Sequence, residues 1–258
     1  MQRNPSSHKG ENGKVAVIGG SLHQHGAPLF SALAAEASGV DLIYVCNPLL
    51  HHEAAMEQSL NFQVYCFQGN DLSKNDINGI LELLATMDSA VIGPGLARTK
   101  ESLEATINIV SEASCPLVCD ATALQPETWK LAQGKTIVLT PHLGELERMG
   151  IDQKNLPKLT QGSSITVLVK SETDTVYANG NMQEIKGGNA GLTVGGTGDA
   201  LAGLIAGLVA QGRAPFDACI MASTIIKRAG SLLSQEFGYS YTTRNVITKI
   251  PHLLTTLS

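Results

Sequence analysis

No G-x-x-x-x-G-K-[ST] occurs in the 258 residues, which excludes a P-loop at the level of motif. No G-x-G-x-x-G follows the first strand-like run, so the dinucleotide-binding fingerprint is missing as well. The five cysteines, at 46, 66, 115, 119 and 219, are odd in number and include no C-x-x-C. Four of them lie in or beside apolar strand-like runs, which points to buried free thiols in a reducing compartment rather than to disulfides or zinc. No apolar run reaches bilayer length, and the segment Ala200–Ala210 is only about half of what a membrane span needs. The opening MQRNPSSHKGENG lacks the apolar stretch of a secretory signal, so a cytoplasmic protein is expected. With a net charge of −5 and no basic face, neither nucleic acid nor a membrane surface is an expected partner. There is no low-complexity linker, internal repeat or clean boundary. Residues 1–13 read as a tail and 14–258 as one α/β domain.

What is present is enough apolar residue to build a core: 43% hydrophobic against 16% charged. The chain is organised around Lys186–Gly212, KGGNAGLTVGGTGDALAGLIAGLVAQG. Within it Gly195-Gly196-Thr197-Gly198-Asp199 is a glycine turn opening straight into an apolar helix. A helix start has unpaired N–H groups and the positive end of the macrodipole, so it suits a phosphate or a developing negative charge. Asp199 admits two readings. It is either a first-turn residue of the helix, or a general base that takes a proton from a hydroxyl meeting a phosphate. Downstream, Ala202, Gly203, Ala206, Gly207 and Ala210 set small residues at i, i+4 spacing, a face able to pack very close to its neighbour.

Strand, glycine loop and helix alternate along the chain, the mark of βαβ crossovers and a parallel sheet. Strands are expected at Lys14–Ile18, Val40–Cys46, Gln63–Phe67, Ser89–Ile92, Pro116–Cys119, Thr136–Leu139 and Ile165–Lys170. Helices are expected at Leu29–Ser38, Asn75–Thr86, Glu101–Ala113, Pro215–Phe237 and Arg244–Leu257. Asn179-Gly180, between Thr175–Ala178 and Met182–Ile185, is a type I′ hairpin signal, so an antiparallel edge is expected. Polar residues gather where strands end. Gly93-Pro94-Gly95-Leu96 is either a ligand loop or a plain tight turn. Asp120 either touches a ligand or caps a helix. His142, in Thr140-Pro141-His142-Leu143-Gly144-Glu145, is a candidate substrate contact, and Glu145 serves the first turn of the helix that follows. His23 and His25 read as a solvated loop and His51 and His52 as a polar helix face, so no metal-ligating set emerges.

The order of these motifs is more specific than any one of them. GGS…GAP, VIGPGL, DATAL, LTPHLGE, VLVK and GNAGLTVGGTGD together resemble the ADP/ATP-dependent NAD(P)H-hydrate dehydratase family, a branch of the ribokinase-like fold. The resemblance runs from Lys14 to about Gly230. It implies a mostly parallel sheet flanked by helices on both faces with an antiparallel hairpin at one edge. It also implies repair of hydrated NADH or NADPH, with ADP, or else ATP, activating the hydroxyl on the reduced ring. By that resemblance Asp199 is the base, and Gly196, Thr197 and Gly198 form the anion hole. Ala27, Gly95, His142 and Asp199 meet the hydrated nicotinamide nucleotide. Lys170, Ser171, Thr175, Asn189 and Gly198 meet the nucleotide. Magnesium is implied as the counter-charge to phosphate, and a homotetramer as the assembly.

Three departures from the family pattern stand out. Leu143 takes the place of a proline in TPHPGE, and DATAL the place of a DADAL-like motif. The KG after the strand-ending lysine becomes Lys170-Ser171-Glu172-Thr173-Asp174-Thr175. Glu172 and Asp174 either face the nucleotide, which like charge disfavours, or point to solvent. The residues also leave room for a kinase of the same fold acting on a hydroxymethyl or hydroxyethyl heterocycle, and for a nucleotide-binding homologue without catalysis.

Overall fold

The computed structural model describes residues 4–257. Residues 4–13 make turns, and the Gly10 and Asn12 N–H groups both donate to Asp41 Oδ2, so this segment is fastened down. Six strand-then-helix steps follow: β1 (Lys14–Ile18) with α1 (Gly26–Ala37), β2 (Leu42–Pro48) with α2 (His52–Met56), β3 (Phe62–Phe67) with α3 (Ile77–Leu84), β4 (Ser89–Ile92) with α4 (Lys100–Glu112), β5 (Leu117–Cys119) with α5 (Pro126–Leu131), and β6 (Ile137–Leu139) with α6 (Leu143–Arg148). Then come α7 (Leu156–Thr160), β7 (Ile165–Val169), β8 (Asp174–Ala178), β9 (Asn181–Ile185), α8 (Thr197–Ala210), α9 (Pro215–Phe237) and α10 (Thr243–Leu257).

Among the described residues the strands form one nine-stranded sheet in the order β3-β2-β1-β4-β5-β6-β7-β8-β9. All neighbours are parallel up to β7, and β7-β8-β9 are antiparallel. At the β8–β9 turn Asn179 and Gly180 have φ of +47° and +78°, as a type I′ turn requires. Alternate strand residues bury on opposite faces. Val15 and Val17 of β1 pack with α1, α8, α9 and α10, whereas Ala16 and Ile18 pack on the side of α3, α4 and α5.

β2 begins two residues later than the alternation suggests, because Asp41 donates to Gly13 O and the ladder then starts at Lys14 opposite Leu42. α8 is buried on every side from Ala200 to Val209. Its small-residue face lies on α1, where a Cβ on Gly203 would fall 1.9 Å from the Ser31 carbonyl oxygen. No larger side chain fits at that crossing, and the close approach lets the Ser31 hydroxyl donate to the Asp199 carbonyl at 2.8 Å.

Candidate active site

The strand order reverses between β1 and β4, and in such sheets ligands meet the carboxyl ends of the strands at that point. The loops after β1 and β4 interlock there, with the Gly20 N–H donating to Pro94 O at 2.8 Å. A Cβ on Gly95 would stand 3.2 Å from Ala27 Cβ, so two of the expected substrate contacts, far apart in sequence, are neighbours.

α8 starts beside them. Gly196 takes φ +97°, a left-handed conformation that turns the chain into the helix and strains other residues. The turn is braced from outside: the Thr243 hydroxyl donates to Gly195 O at 2.8 Å, and the Thr197 hydroxyl to Val194 O at 3.0 Å. The N–H groups of Gly198 and Asp199 donate to no acceptor among the described residues, which leaves them for an anion.

A charge cluster lies under this helix start. Asp120, Thr140 and Lys170 follow the ends of the adjacent strands β5, β6 and β7. Thr140 Oγ1 donates to Asp120 Oδ1 at 2.8 Å, and Lys170 Nζ to the same oxygen at 2.7 Å. Glu145 Oε2 is 3.9 Å from Lys170 Nζ. The ammonium also reaches the first turn of α8, since a Cβ on Gly198 would be 3.4 Å from it. Burial acts to lower the proton affinity of Lys170, but the carboxylates of Asp120, Glu145 and Asp199 outweigh it and hold the ammonium above its ordinary value. Burial pushes the half-buried Asp199 carboxyl up to about 7. The negative charges of Asp120 and Glu145 add to this, and Lys170 opposes it. A carboxylate titrating near neutrality beside free N–H groups suits a general base that takes a proton and gives it back.

His142 caps α6. Its Nδ1 accepts from the Glu145 N–H at 3.2 Å, while Glu145 Oε2 accepts from the His142 N–H at 2.9 Å. Its side chain is 58% exposed, and its Nε2 lies 3.6 Å from Glu145 Oε1, so Glu145 braces an otherwise exposed ring.

On the other side of Lys170 is a cavity of about 710 Å³ bordered by Ser171, Glu172, Lys186, Asn189 and Lys227. Ser171 and Asn189, two of the expected nucleotide contacts, thus border this cavity, whereas Thr175 is drawn into β8 and buried opposite Val169. Asn189 is also occupied: it accepts from the Gly191 N–H and the Tyr241 hydroxyl and donates to Gly230 O, so it shapes the wall. The two acidic residues of the loop part company. Asp174 does not point to solvent but is buried against Ser223 and Lys227, while Glu172 is exposed at the cavity wall.

Several residues of this region escape sequence reasoning. Lys227 carries only a weak signal, a lysine directly after Ile225-Ile226 and before Arg228. Thr140 and Glu145 stood within a motif already noted, and only the packing of three neighbouring strands turns them inward. Tyr241 and Thr243 carry no local signal.

The strand order, the edge hairpin and the glycine-opened helix on the reversal point define a ribokinase-like α/β protein. Within that class the chain belongs to the NAD(P)H-hydrate dehydratase family, whose model matches residues 15–252. It is 34% identical over 96% of its length to the ADP-dependent (S)-NAD(P)H-hydrate dehydratase of Nitrosopumilus maritimus, covering 90% of that protein. It is 36% identical over 98% of its length to the bifunctional NAD(P)H-hydrate repair enzyme Nnr of Methanocaldococcus jannaschii, of which it spans half (50%). In fold it is similar to the Bacillus subtilis ADP/ATP-dependent NAD(P)H-hydrate dehydratase co-crystallised with ATP/Mg2+. The TM-score is 0.83 at 22% identity, covering all (100%) of this chain and 94% of that one. Among the described residues no helix is long and apolar enough to cross a membrane.

Proposed function

We propose that the protein dehydrates hydrated NADH or NADPH at the expense of ADP, returning NAD(P)H, AMP and phosphate. The observation that carries this reading is Asp199, titrating near 7 next to the free N–H groups of the α8 start. Its carboxylate takes the proton of the ring hydroxyl. The oxygen so freed attacks the β-phosphorus of ADP, and the bond from that phosphorus to the bridging oxygen breaks to release AMP. The ring carbon–oxygen bond then breaks with loss of a proton from the adjacent carbon, and phosphate leaves. The Gly198 and Asp199 N–H groups and the Lys170 ammonium stabilise negative charge on the transferring group. Ala27, Gly95 and the exposed ring of His142 form the hydrate side, and the cavity of Ser171, Asn189 and Lys227 the nucleotide side.

Among the described residues no group of three or more histidine, cysteine or acidic side chains could hold a metal ion. Magnesium, which neutralises phosphate charge, fits this site as an ion carried on the nucleotide's own oxygens rather than in a protein cage.

The test is the return of NADH absorbance when the protein meets hydrated NADH with magnesium and either ADP or ATP. A nucleotide-dependent rise, greater with ADP, is expected. In Asp199→Asn the rate should fall by about a hundred- to ten-thousandfold while ADP still binds. No rise with either nucleotide, or near-normal turnover in Asp199→Asn, overturns the proposal.

A further inference from the structure

The loop after β7 is tied down at its tip. Asp174 Oδ1 accepts from the Ser171 N–H at 2.9 Å and Oδ2 from the Ser223 hydroxyl at 2.7 Å, and Lys227 Nζ is 3.5 Å away. Lys227 also donates to the carbonyl oxygens of Ser171 at 3.3 Å and Glu172 at 2.9 Å, and the Ser171 hydroxyl bonds the Thr173 carbonyl. A backbone held at these points fixes where Glu172 leaves the chain before any ligand arrives, which lowers the ordering cost of binding. Glu172 is exposed, borders the 710 Å³ cavity, and among the described residues its carboxylate has no hydrogen-bond or ion-pair partner.

The charge of Glu172 limits what it can meet. Phosphate oxygens would be repelled, and the phosphate end is already provided for by the α8 start and Lys170. The adenine ring offers only an exocyclic amine. A ribose offers two adjacent O–H donors, which match the two oxygens of an acceptor-only carboxylate. Acidic side chains hold ribose hydroxyls in the same way in dinucleotide-binding folds. Glu172 lies two residues beyond Lys170, at most about 7 Å of extended chain. That places it beside the sugar next to the phosphates rather than at the far, base end.

We propose that Glu172 is the ribose-reading residue of this cavity, its carboxylate accepting hydrogen bonds from the 2′- and 3′-hydroxyls of a nucleoside diphosphate. The site then selects ribonucleotides over deoxyribonucleotides. This rests on the reading of the cavity as the nucleotide site. The test is calorimetric binding of ADP, 2′-deoxy-ADP and pyrophosphate to the whole chain, wild type and Glu172→Ala, with Glu172→Gln to separate charge from hydrogen bonding. Wild type should bind ADP roughly tenfold more tightly than 2′-deoxy-ADP, the size of one charge-assisted hydrogen bond. Glu172→Ala should bind the two about equally and bind pyrophosphate as wild type does. A preference for ADP that persists in Glu172→Ala, or ADP binding that tightens there, overturns the inference and leaves the cavity's role intact. So does equal binding of the two nucleotides by wild type. Failure of wild type to bind either nucleotide or pyrophosphate removes the reading of the cavity itself, and the inference with it.

Discussion

Asp199 should be a costly residue for the fold, and Asp199→Asn should measure the cost. The unfolded chain ionises this carboxyl from about its ordinary 3.8, whereas the folded chain resists until about 7. Between those values each rise in pH favours the unfolded state, and above about 7 the penalty is complete. Each tenfold change in proton affinity is about 1.36 kcal/mol, so the full gap is worth about 4 kcal/mol. Asp199 is only half-buried, and solvation of its exposed part brings the expected effect to about 2 kcal/mol. Asparagine has nearly the same shape and no charge, so it escapes the penalty at every pH. Asp199→Asn should therefore melt roughly 4–8 °C above wild type at pH 8 and close to it at pH 4. Urea denaturation of both proteins across that range gives the difference directly. Equal stability at pH 8, or a difference that does not change with pH, would refute the claim that burial and neighbouring carboxylates hold Asp199 near neutrality. A stabilised but inactive variant is the expected signature of a site that trades stability for chemistry.

Asp120→Asn removes a negative neighbour of Asp199 and frees Lys170 to move toward it, and both changes lower the Asp199 proton affinity. The rising limb of kcat/KM against pH, near 7 in wild type, should move to lower pH, and a limb that stays put would separate Asp199 from the titration. Gly203→Ala places a methyl 1.9 Å from the Ser31 carbonyl oxygen, so α1 and α8 must part. Denaturant unfolding should show a loss of about 1–3 kcal/mol, and an unchanged midpoint would contradict the close crossing. Lys227→Met leaves Asp174 buried without its cation, and a loss of about 3–5 kcal/mol is expected. Asp174→Asn added to it should restore part of that loss, which double-mutant thermal melts can check.

Much of the fold is legible in the residue order. Lys14–Ile18, Ser89–Ile92 and Pro215–Phe237 have the bounds that their apolar pattern and flanking proline and glycine suggest. Such signals are local and survive whatever the rest of the chain does. The shifted start of β2 was not legible, since the residue that sets it, Gly13, bonds across from another element. The site was legible in part. The GGTGD turn, TPHLGE and the lysine after β7 announce polar groups at strand and helix ends, but not which way they turn. Lys170, expected on the nucleotide, is held by Asp120, to which it donates across 50 positions of sequence. Asp174, expected to meet nucleotide or solvent, pairs with Ser223, 49 positions on.

The sequence by itself determined the alternation of strands and helices, the antiparallel edge, the glycine-opened helix and the family. Each depends on backbone propensity and side-chain period over a few turns. Only the tertiary structure decided that Asp120, Glu145, Lys170 and Asp199 form one cluster, because strand order sets which ends are neighbours. It alone decided the proton affinity of Asp199, which depends on the water excluded and the charges brought close by elements that are remote in the chain.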